Sequence, residues 1–225
     1  MNDASGSDCC QLLGLYDSPF TRRVAITLTL YGMPFEHLSL SVFRQMDAMR
    51  PLNPLFKVPM LTLPDGEKLY ESAYLLDYLD ELAADRGLEP LTPRAGPARR
   101  RVLQTVALAI VATEKAVAIE YERKRPLERQ WPDWTSRLRG QMRQALAMLE
   151  EQLATVARNA GGASASDHFL VGGRLTQADI STAVGIGFVR YVLPHEWPAD
   201  EYPALAALAA RLEASDAFRA VPIDQ

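Results

Sequence analysis

The run Ser18-Pro19-Phe20-Thr21-Arg22-Arg23-Val24 places a hydroxyl where a helical pattern opens, just after the apolar stretch Leu12 to Tyr16. A hydroxyl there lies beside backbone N–H groups with no intrahelical partner, at the positive end of the helix dipole. Such a position suits an anion, and a thiolate above all. A thiol cofactor bound next to it makes the chain an enzyme.

Two further places can complete that site. At Val58-Pro59, a proline within a strand pattern cannot donate to the ladder. A cis peptide bond would turn the Val58 N–H and C=O outward, to pair with an extended peptide as an added strand does. An edge-strand proline is the other reading, and the residues alone do not choose. At Glu71-Ser72, free N–H groups and the Ser72 hydroxyl suit a carboxylate, while Glu71 suits an ammonium group. Taken singly, that pair reads as an ordinary helix cap. Lys57, a plain surface lysine in isolation, adds a cation for a second carboxylate. An α-amino acid end, a peptide middle, a distal carboxylate and a thiol together describe glutathione.

The elements that must position these groups alternate over residues 11 to 86. Gln11 to Tyr16 is expected as a buried strand and Pro19 or Phe20 to Tyr31 as a helix with Val24, Leu28 and Tyr31 on one face, ended by Gly32. Pro34 to Leu40 predicts a second strand, followed by a variable segment to Asn53-Pro54. Val58 to Leu63 and Lys68 to Tyr70 form a hairpin about Pro64-Asp65-Gly66-Glu67, where Asp-Gly supplies positive φ angles. Ser72 opens a helix with Leu75, Tyr78, Leu79 and Leu82 as its apolar face. The order is β-α-β, a connection, then β-β-α.

Residues 87–97, with three prolines and two glycines, predict a linker. The remainder, 98–225, is helical in pattern: long segments from about Ala98 to Arg123 and Pro132 to Arg158, a Gly/Ala/Ser-rich loop over Asn159 to Ser166, a helix from near Thr176, and shorter ones to Phe218. Thr176 and Asp179 have capping-box spacing, and Leu175 and Ile180 are spaced for a hydrophobic staple.

Composition narrows the function classes. The 225 residues are 48% hydrophobic, enough for a sizeable core, and the net charge of −4 gives no support to nucleic-acid binding. The runs Arg99-Arg100-Arg101 and Arg123-Lys124-Arg125 read as solvated helix faces. Cys9 and Cys10 are the only cysteines. Adjacent cysteines make a strained disulfide, and two cannot build a disulfide framework or a zinc site, so free thiols and a reducing compartment are expected, with no metal. No cysteine neighbours Ser18-Pro19, which excludes a Cys-x-x-Cys mechanism there. Met1 to Asp8 has neither a basic start nor an apolar core and does not read as a signal peptide. The apolar stretch Val102 to Ala118 is interrupted by Gln104, Glu114 and Lys115 and reads as a buried helix, so no membrane association and a cytoplasmic location are expected.

The chain closely resembles the glutathione transferase superfamily. The likeness is carried by Ser-Pro-Phe-Thr-Arg-Arg-Val-Ala-Ile, Asn-Pro-Leu-Phe-Lys-Val-Pro-Met-Leu and Glu-Ser-Ala-Tyr-Leu-Leu-Asp-Tyr-Leu-Asp-Glu, and in the second half by Leu-Thr-Gln-Ala-Asp-Ile-Ser. The resemblance implies an α/β thioredoxin-like N-terminal domain (βαβ-ββα), an all-α C-terminal domain, and a homodimer. It gives Ser18 the place of the catalytic serine of the plant tau class, where omega-class members have a cysteine. Lys57 takes the place of the lysine that meets the glycyl carboxylate, Val58 that of the residue pairing with the cysteinyl unit, Pro59 that of the cis-proline, and Glu71 and Ser72 those of the γ-glutamyl binders. Phe56 departs from the glycine of many members, a change expected to narrow the glycyl end. Tyr16 is a rival activator whose place at a strand end suits a core or pocket-wall role.

The implied mechanism is stabilisation of the glutathione thiolate by the Ser18 hydroxyl and the helix end. A free thiol has a pKa near 8.5, and lowering it by about two units takes roughly 3 kcal/mol, within reach of a charge-assisted hydrogen bond plus a dipole. The thiolate then attacks a hydrophobic electrophile, expected between the domains, with Tyr16, Phe20, Tyr121, Trp131 and Trp134 as candidate wall residues. Competing readings are a glutathione-dependent peroxidase, dehalogenase or isomerase, and a binding or scaffolding protein that kept the fold without catalysis.

Overall fold

The computed structural model describes residues 9–160 and 168–223. The predicted loop at Asn159 to Ser166 lies largely outside them, as does the segment Met1 to Asp8. The chain divides into two compact units. One holds the residues up to Pro90 together with 216–223, and the other is Leu91–Ser215.

The first unit is built on a four-stranded sheet of order β2-β1-β3-β4: β1 (Cys10–Leu13), β2 (Phe35–Leu38), β3 (Met60–Thr62) and β4 (Lys68–Tyr70). β1 pairs with β2 in parallel and with β3 antiparallel, placing Leu12 opposite both His37 and Leu61. Helix α1 (Pro19–Leu30) makes the crossover between the parallel strands, and α3 (Ser72–Asp85) follows β4 and packs against α1. The thioredoxin-like βαβ-ββα order is the expected one.

Alternation along β1 sends its two leucines to opposite faces. Leu13 joins Met60 and Met49, with Leu38, Leu40, Val42, Leu52, Phe56 and Val58 against them. Met49 ends the short helix α2 (Met46–Met49), which occupies the stretch that sequence patterning leaves without structure. β4 has the predicted bounds, and β1, β2 and β3 are shorter than predicted. Pro59 cannot donate to a ladder, so β3 begins at Met60, and β1 stops before Gly14, whose φ of +133° is closed to other residues. In the hairpin turn only Gly66 takes a positive φ, and its N–H bonds the Leu63 carbonyl, so Asp65 does not contribute the positive φ expected of it. Asp65 instead accepts the Glu67 N–H, at 2.9 Å.

The second unit is helical: α4 (Gly96–Arg123), α5 (Pro132–Asn159), α6 (Gln177–Val192) and α7 (Pro203–Glu213). Leu91 and Thr92, inside the predicted linker, are buried, and the Leu91 carbonyl accepts the Gln177 N–H. α6 is the central helix, packing on α4 and α7, with every residue from Gln177 to Ile186 buried. A Cβ at its Gly185 would come within 2.5 Å of Thr113 Oγ1, so the close approach of α4 and α6 requires glycine there. α4 has the length and composition of a membrane-crossing helix, but its Val102, Ala109, Ala112, Ala116 and Ile119 are buried, and it packs on α5 and α6. The capping box at the start of α6 is formed. Asp179 accepts the N–H groups of Thr176 and Leu170 at 2.9 and 2.7 Å, as well as the Thr176 hydroxyl.

Candidate active site

Ser18 is the N-cap of α1, with extended φ and ψ, and its Oγ accepts the Thr21 N–H at 3.4 Å. Pro19 follows at N1, where its missing N–H matters least. Accepting there uses a lone pair of the Ser18 oxygen, and the hydroxyl proton is a separate donor. The helix behind it is buried from Thr21 through Leu28, so its dipole acts in a poorly hydrated setting.

Val58 is brought against this turn. The Val58–Pro59 peptide is cis, which decides between the two readings of the proline. A Cβ at Gly14 would fall 2.5 Å from Thr21 Oγ1 and 2.8 Å from Val58 Cβ, so the first turn of α1, the end of β1 and Val58 meet where only glycine fits. The β1–β3 ladder starts two residues later, at Met60, leaving the Val58 backbone outside it.

The loop that carries Lys57 and Val58 hangs on Asn53, which is fully buried. Its Nδ2 donates to the Lys57 carbonyl at 2.6 Å, its Oδ1 accepts the Leu55 N–H at 3.1 Å, and its carbonyl accepts the Phe56 N–H. Phe56 has φ +50°, a conformation that favours glycine. Its ring lies against the Leu13–Met49–Met60 cluster, with Arg50 over it at 5.1 Å. The ring is half-buried, with one part packed on that cluster.

Glu71 stands before α3 with φ +68° and ψ 112°, a strained conformation for a non-glycine residue. Its carbonyl accepts the N–H groups of Tyr74 and Leu75, which begins the helix. Ser72, the first helical residue, is fully buried and does not cap the helix in the ordinary way. Its hydroxyl accepts from Arg23 Nη2 at 2.6 Å and donates to Glu71 Oε1 at 3.4 Å. Lys57 Nζ bonds Glu71 Oε2 at 3.0 Å, with side-chain exposures of 72% and 43%. Partial burial pushes the Glu71 carboxyl up. The Lys57 hydrogen bond and charge, the Arg23 charge and the Ser72 hydroxyl outweigh it and hold the group below the usual carboxylate range.

Ser18, Lys57, Val58, Pro59, Glu71 and Ser72 thus converge within one unit. Arg23 stands on the helix that Ser18 caps and reaches Ser72 at the start of α3. Sequence reasoning quoted Arg23 and Asn53 without giving either a role. The sequence carried no local signal for Arg23, which stands beside a second arginine, Arg22.

The candidate wall residues belong to both units. Tyr16 is buried and stacks on His37 at 3.8 Å with an interplanar angle of 4°, and His37 Nε2 bonds the Gly14 carbonyl at 2.7 Å. Phe20 is half-buried in the first turn of α1. In the second unit Tyr121, Trp131 and Trp134 are 50%, 60% and 40% exposed, and the two indoles stack at 6.5 Å. The loop between α4 and α5 is held by Glu122, whose Oε1 accepts the Trp131 N–H at 2.8 Å. Cys9 and Cys10 are half-buried and not joined in a disulfide. Burial, and then the neighbouring Cys9, push the Cys10 thiol up, away from a reactive thiolate.

A thioredoxin-like unit with an N-capping serine, a cis-proline and a Glu-Ser helix start, followed in the chain by a helical unit, defines a two-unit fold class. Residues 12–87 match the family description "Glutathione S-transferase, N-terminal domain" and residues 132–211 match "Glutathione S-transferase, C-terminal domain". The chain belongs to the glutathione S-transferase superfamily. Among its relatives, the uncharacterized GST-like protein YibF of Escherichia coli (strain K12) is 27% identical over 210 residues, 92% of this chain and 96% of the relative. Glutathione S-transferase U7 of Arabidopsis thaliana is 34% identical over 93 residues, and the chain spans 41% of that relative's length. A glutathione S-transferase of Methylobacterium radiotolerans, solved in complex with glutathione sulfonate, is 28% identical with a TM-score of 0.83 over 96% of each chain.

Proposed function

We propose that the protein is a glutathione transferase that conjugates the glutathione thiolate to hydrophobic electrophiles, a detoxification-type reaction. The observation that carries this reading is the Ser18 hydroxyl, which accepts from the Thr21 N–H through a lone pair and has a separate proton to donate to sulfur. Glu71 takes the α-ammonium group. The first N–H groups of α3 take the γ-glutamyl carboxylate, with the Ser72 hydroxyl exchanging its long bond to Glu71 for one to the ligand. The Val58 backbone pairs with the cysteinyl unit, and Lys57 meets the glycyl carboxylate.

Ser18 acts as a donor to the anion and not as a base. The thiol proton passes to solvent as the thiolate forms. The thiolate then attacks an electrophilic carbon: an S–C bond forms, the carbon–leaving-group bond breaks, and the leaving group departs with its electron pair. Tyr16, Phe20, Tyr121, Trp131 and Trp134 are the proposed contacts for the apolar part of the electrophile. A homodimer working in the reducing cytoplasm is part of the same reading.

Calorimetric titration of glutathione into the protein and into Glu71→Ala tests the site, and thiolate absorbance of bound glutathione against pH, with Ser18→Ala alongside, tests the chemistry. Saturable binding lost in Glu71→Ala, with a thiol pKa that rises in Ser18→Ala, is the expected result. No binding to the wild type overturns the proposal.

A further inference from the structure

The chain ends in the unit where it began. Residues 216–223 pack with the first unit, although the whole of Leu91–Ser215 separates them from it in sequence. Their short helix α8 (Asp216–Arg219) lies against α1, and both Phe218 and Val221 are 1% exposed.

The contact is made on Arg22, one turn beyond Ser18. Arg22 is 2% exposed. Its Nε donates to the Val221 carbonyl at 2.9 Å, and its guanidinium lies 5.6 Å from the centroid of the Phe218 ring. Its backbone N–H donates to the Ser18 carbonyl, also at 2.9 Å. One residue is therefore bonded through its backbone to Ser18 and through its side chain to the end of the chain. A buried guanidinium is tolerated only where its donors find acceptors. Here an acceptor and an aromatic face come from residues 218–221, so the first turn of α1 holds its place with that segment docked.

We propose that residues 216–223 are a positioning element of the thiol site, acting through Arg22 to hold the Ser18 hydroxyl in line with the bound sulfur. The inference rests on the reading of Ser18 given above. A hydrogen bond to a thiolate weakens steeply with distance and angle, so a small displacement of the α1 first turn lowers thiolate stabilisation before it affects the binding of the rest of glutathione. Arg22 and Phe218 touch neither glutathione nor the reacting atoms.

The test is the thiol pKa of glutathione bound to Arg22→Met, Arg22→Lys and Phe218→Ala, read from thiolate absorbance against pH, with kcat and KM measured on the same proteins. Arg22→Met and Phe218→Ala should raise the thiol pKa by about one unit, a tenfold loss of thiolate at neutral pH. kcat should fall with it while KM changes little, because Lys57, Val58, Glu71 and Ser72 are untouched. Arg22→Lys, which keeps the cation over the ring, should recover part of the shift. Should Phe218→Ala fail to fold, Phe218→Leu, which keeps most of the volume and loses the aromatic face, takes its place. Variants that bind glutathione with the wild-type thiol pKa overturn the inference and leave the transferase reading standing. A wild type that binds glutathione without lowering its thiol pKa overturns the role of Ser18, and the inference with it.

Discussion

Arg23 Nη2 donates to Ser72 Oγ at 2.6 Å, joining the helix that begins at the proposed sulfur site to the helix that begins at the proposed γ-glutamyl site. Both residues are almost completely buried. On the proposed reading, the cysteinyl sulfur and the γ-glutamyl end of glutathione lie at the starts of two helices that this one side chain joins. The guanidinium also adds to the field that holds Glu71 ionised. Arg23→Met keeps the alkyl packing and removes the donor. It should lower stability by about 2 kcal/mol, as a broken buried hydrogen bond does, and weaken glutathione binding about tenfold. Thermal unfolding and calorimetry measure the two effects separately.

Ser18→Ala removes a helix cap and a thiolate donor together. The cap is worth about 1 kcal/mol in unfolding free energy. The pKa of bound glutathione should rise by about one to two units while its affinity stays close to wild type. Ser18→Cys should instead give thiol-disulfide exchange activity, because a thiol at this place can form a mixed disulfide with glutathione. A Ser18→Cys protein that binds glutathione and shows no gain in reductase activity counts against this placement.

Gly14→Ala is expected to be costly for two independent reasons. The residue has φ +133°, and the added Cβ would fall inside the contact distances of Thr21 Oγ1 and Val58 Cβ. A loss of about 2–4 kcal/mol follows from strain and overpacking. Denaturant unfolding measures it, and the displaced Val58 backbone should appear as weaker glutathione binding in the fraction that folds.

Lys57 and Glu71 form an ion pair with both side chains substantially in water. Such pairs contribute little, so Lys57→Ala should change stability by less than about 1 kcal/mol. Its effect on ligands should depend on the glycyl carboxylate: glutathione should bind more weakly, and γ-glutamylcysteine, which lacks that carboxylate, should be nearly unaffected. Because Glu71 is held below the usual carboxylate range, glutathione affinity should also persist as pH falls from 7 to 5.

Asp179 offers a pH test of the second unit. Burial pushes its carboxyl from 3.8 up to about 6, against the opposing hydrogen bonds of Leu170 and Thr176. The folded chain then binds a proton that the unfolded chain releases. The stability linked to this group is complete below pH 3.8 and is lost as pH rises through about 6. The stability difference between wild type and Asp179→Asn should therefore move in favour of the variant as pH rises from 4 to 7, as read by denaturant unfolding at each pH. A difference independent of pH contradicts the assignment.

The local caps were legible in the sequence. Ser18, Thr176 and Asp179 announce themselves because capping acts over three or four residues, so spacing alone encodes it. The β-α-β, β-β-α order was equally readable, since hydrophobic periodicity and Gly or Pro punctuation are local signals. The choice between cis and edge for Val58–Pro59 was not readable from the residues alone, because both place a proline at the start of a strand. The φ of +50° at Phe56 and the packing of its ring on the Leu13–Met49–Met60 cluster were likewise unreadable, because both depend on residues distant in the chain.

What the sequence determined by itself were parts that depend on neighbours in the chain: most of the helices and strands, where they are capped, and which side chains are candidates to meet a thiol, an ammonium group and two carboxylates. The tertiary structure alone decided how those parts are held. Arg23 meets Ser72 across 49 positions and Arg22 meets Val221 across 199. Contacts at such separations leave no periodic trace, because they are selected by the free energy of burying a charged group with its partners in place and not by the geometry of any one element.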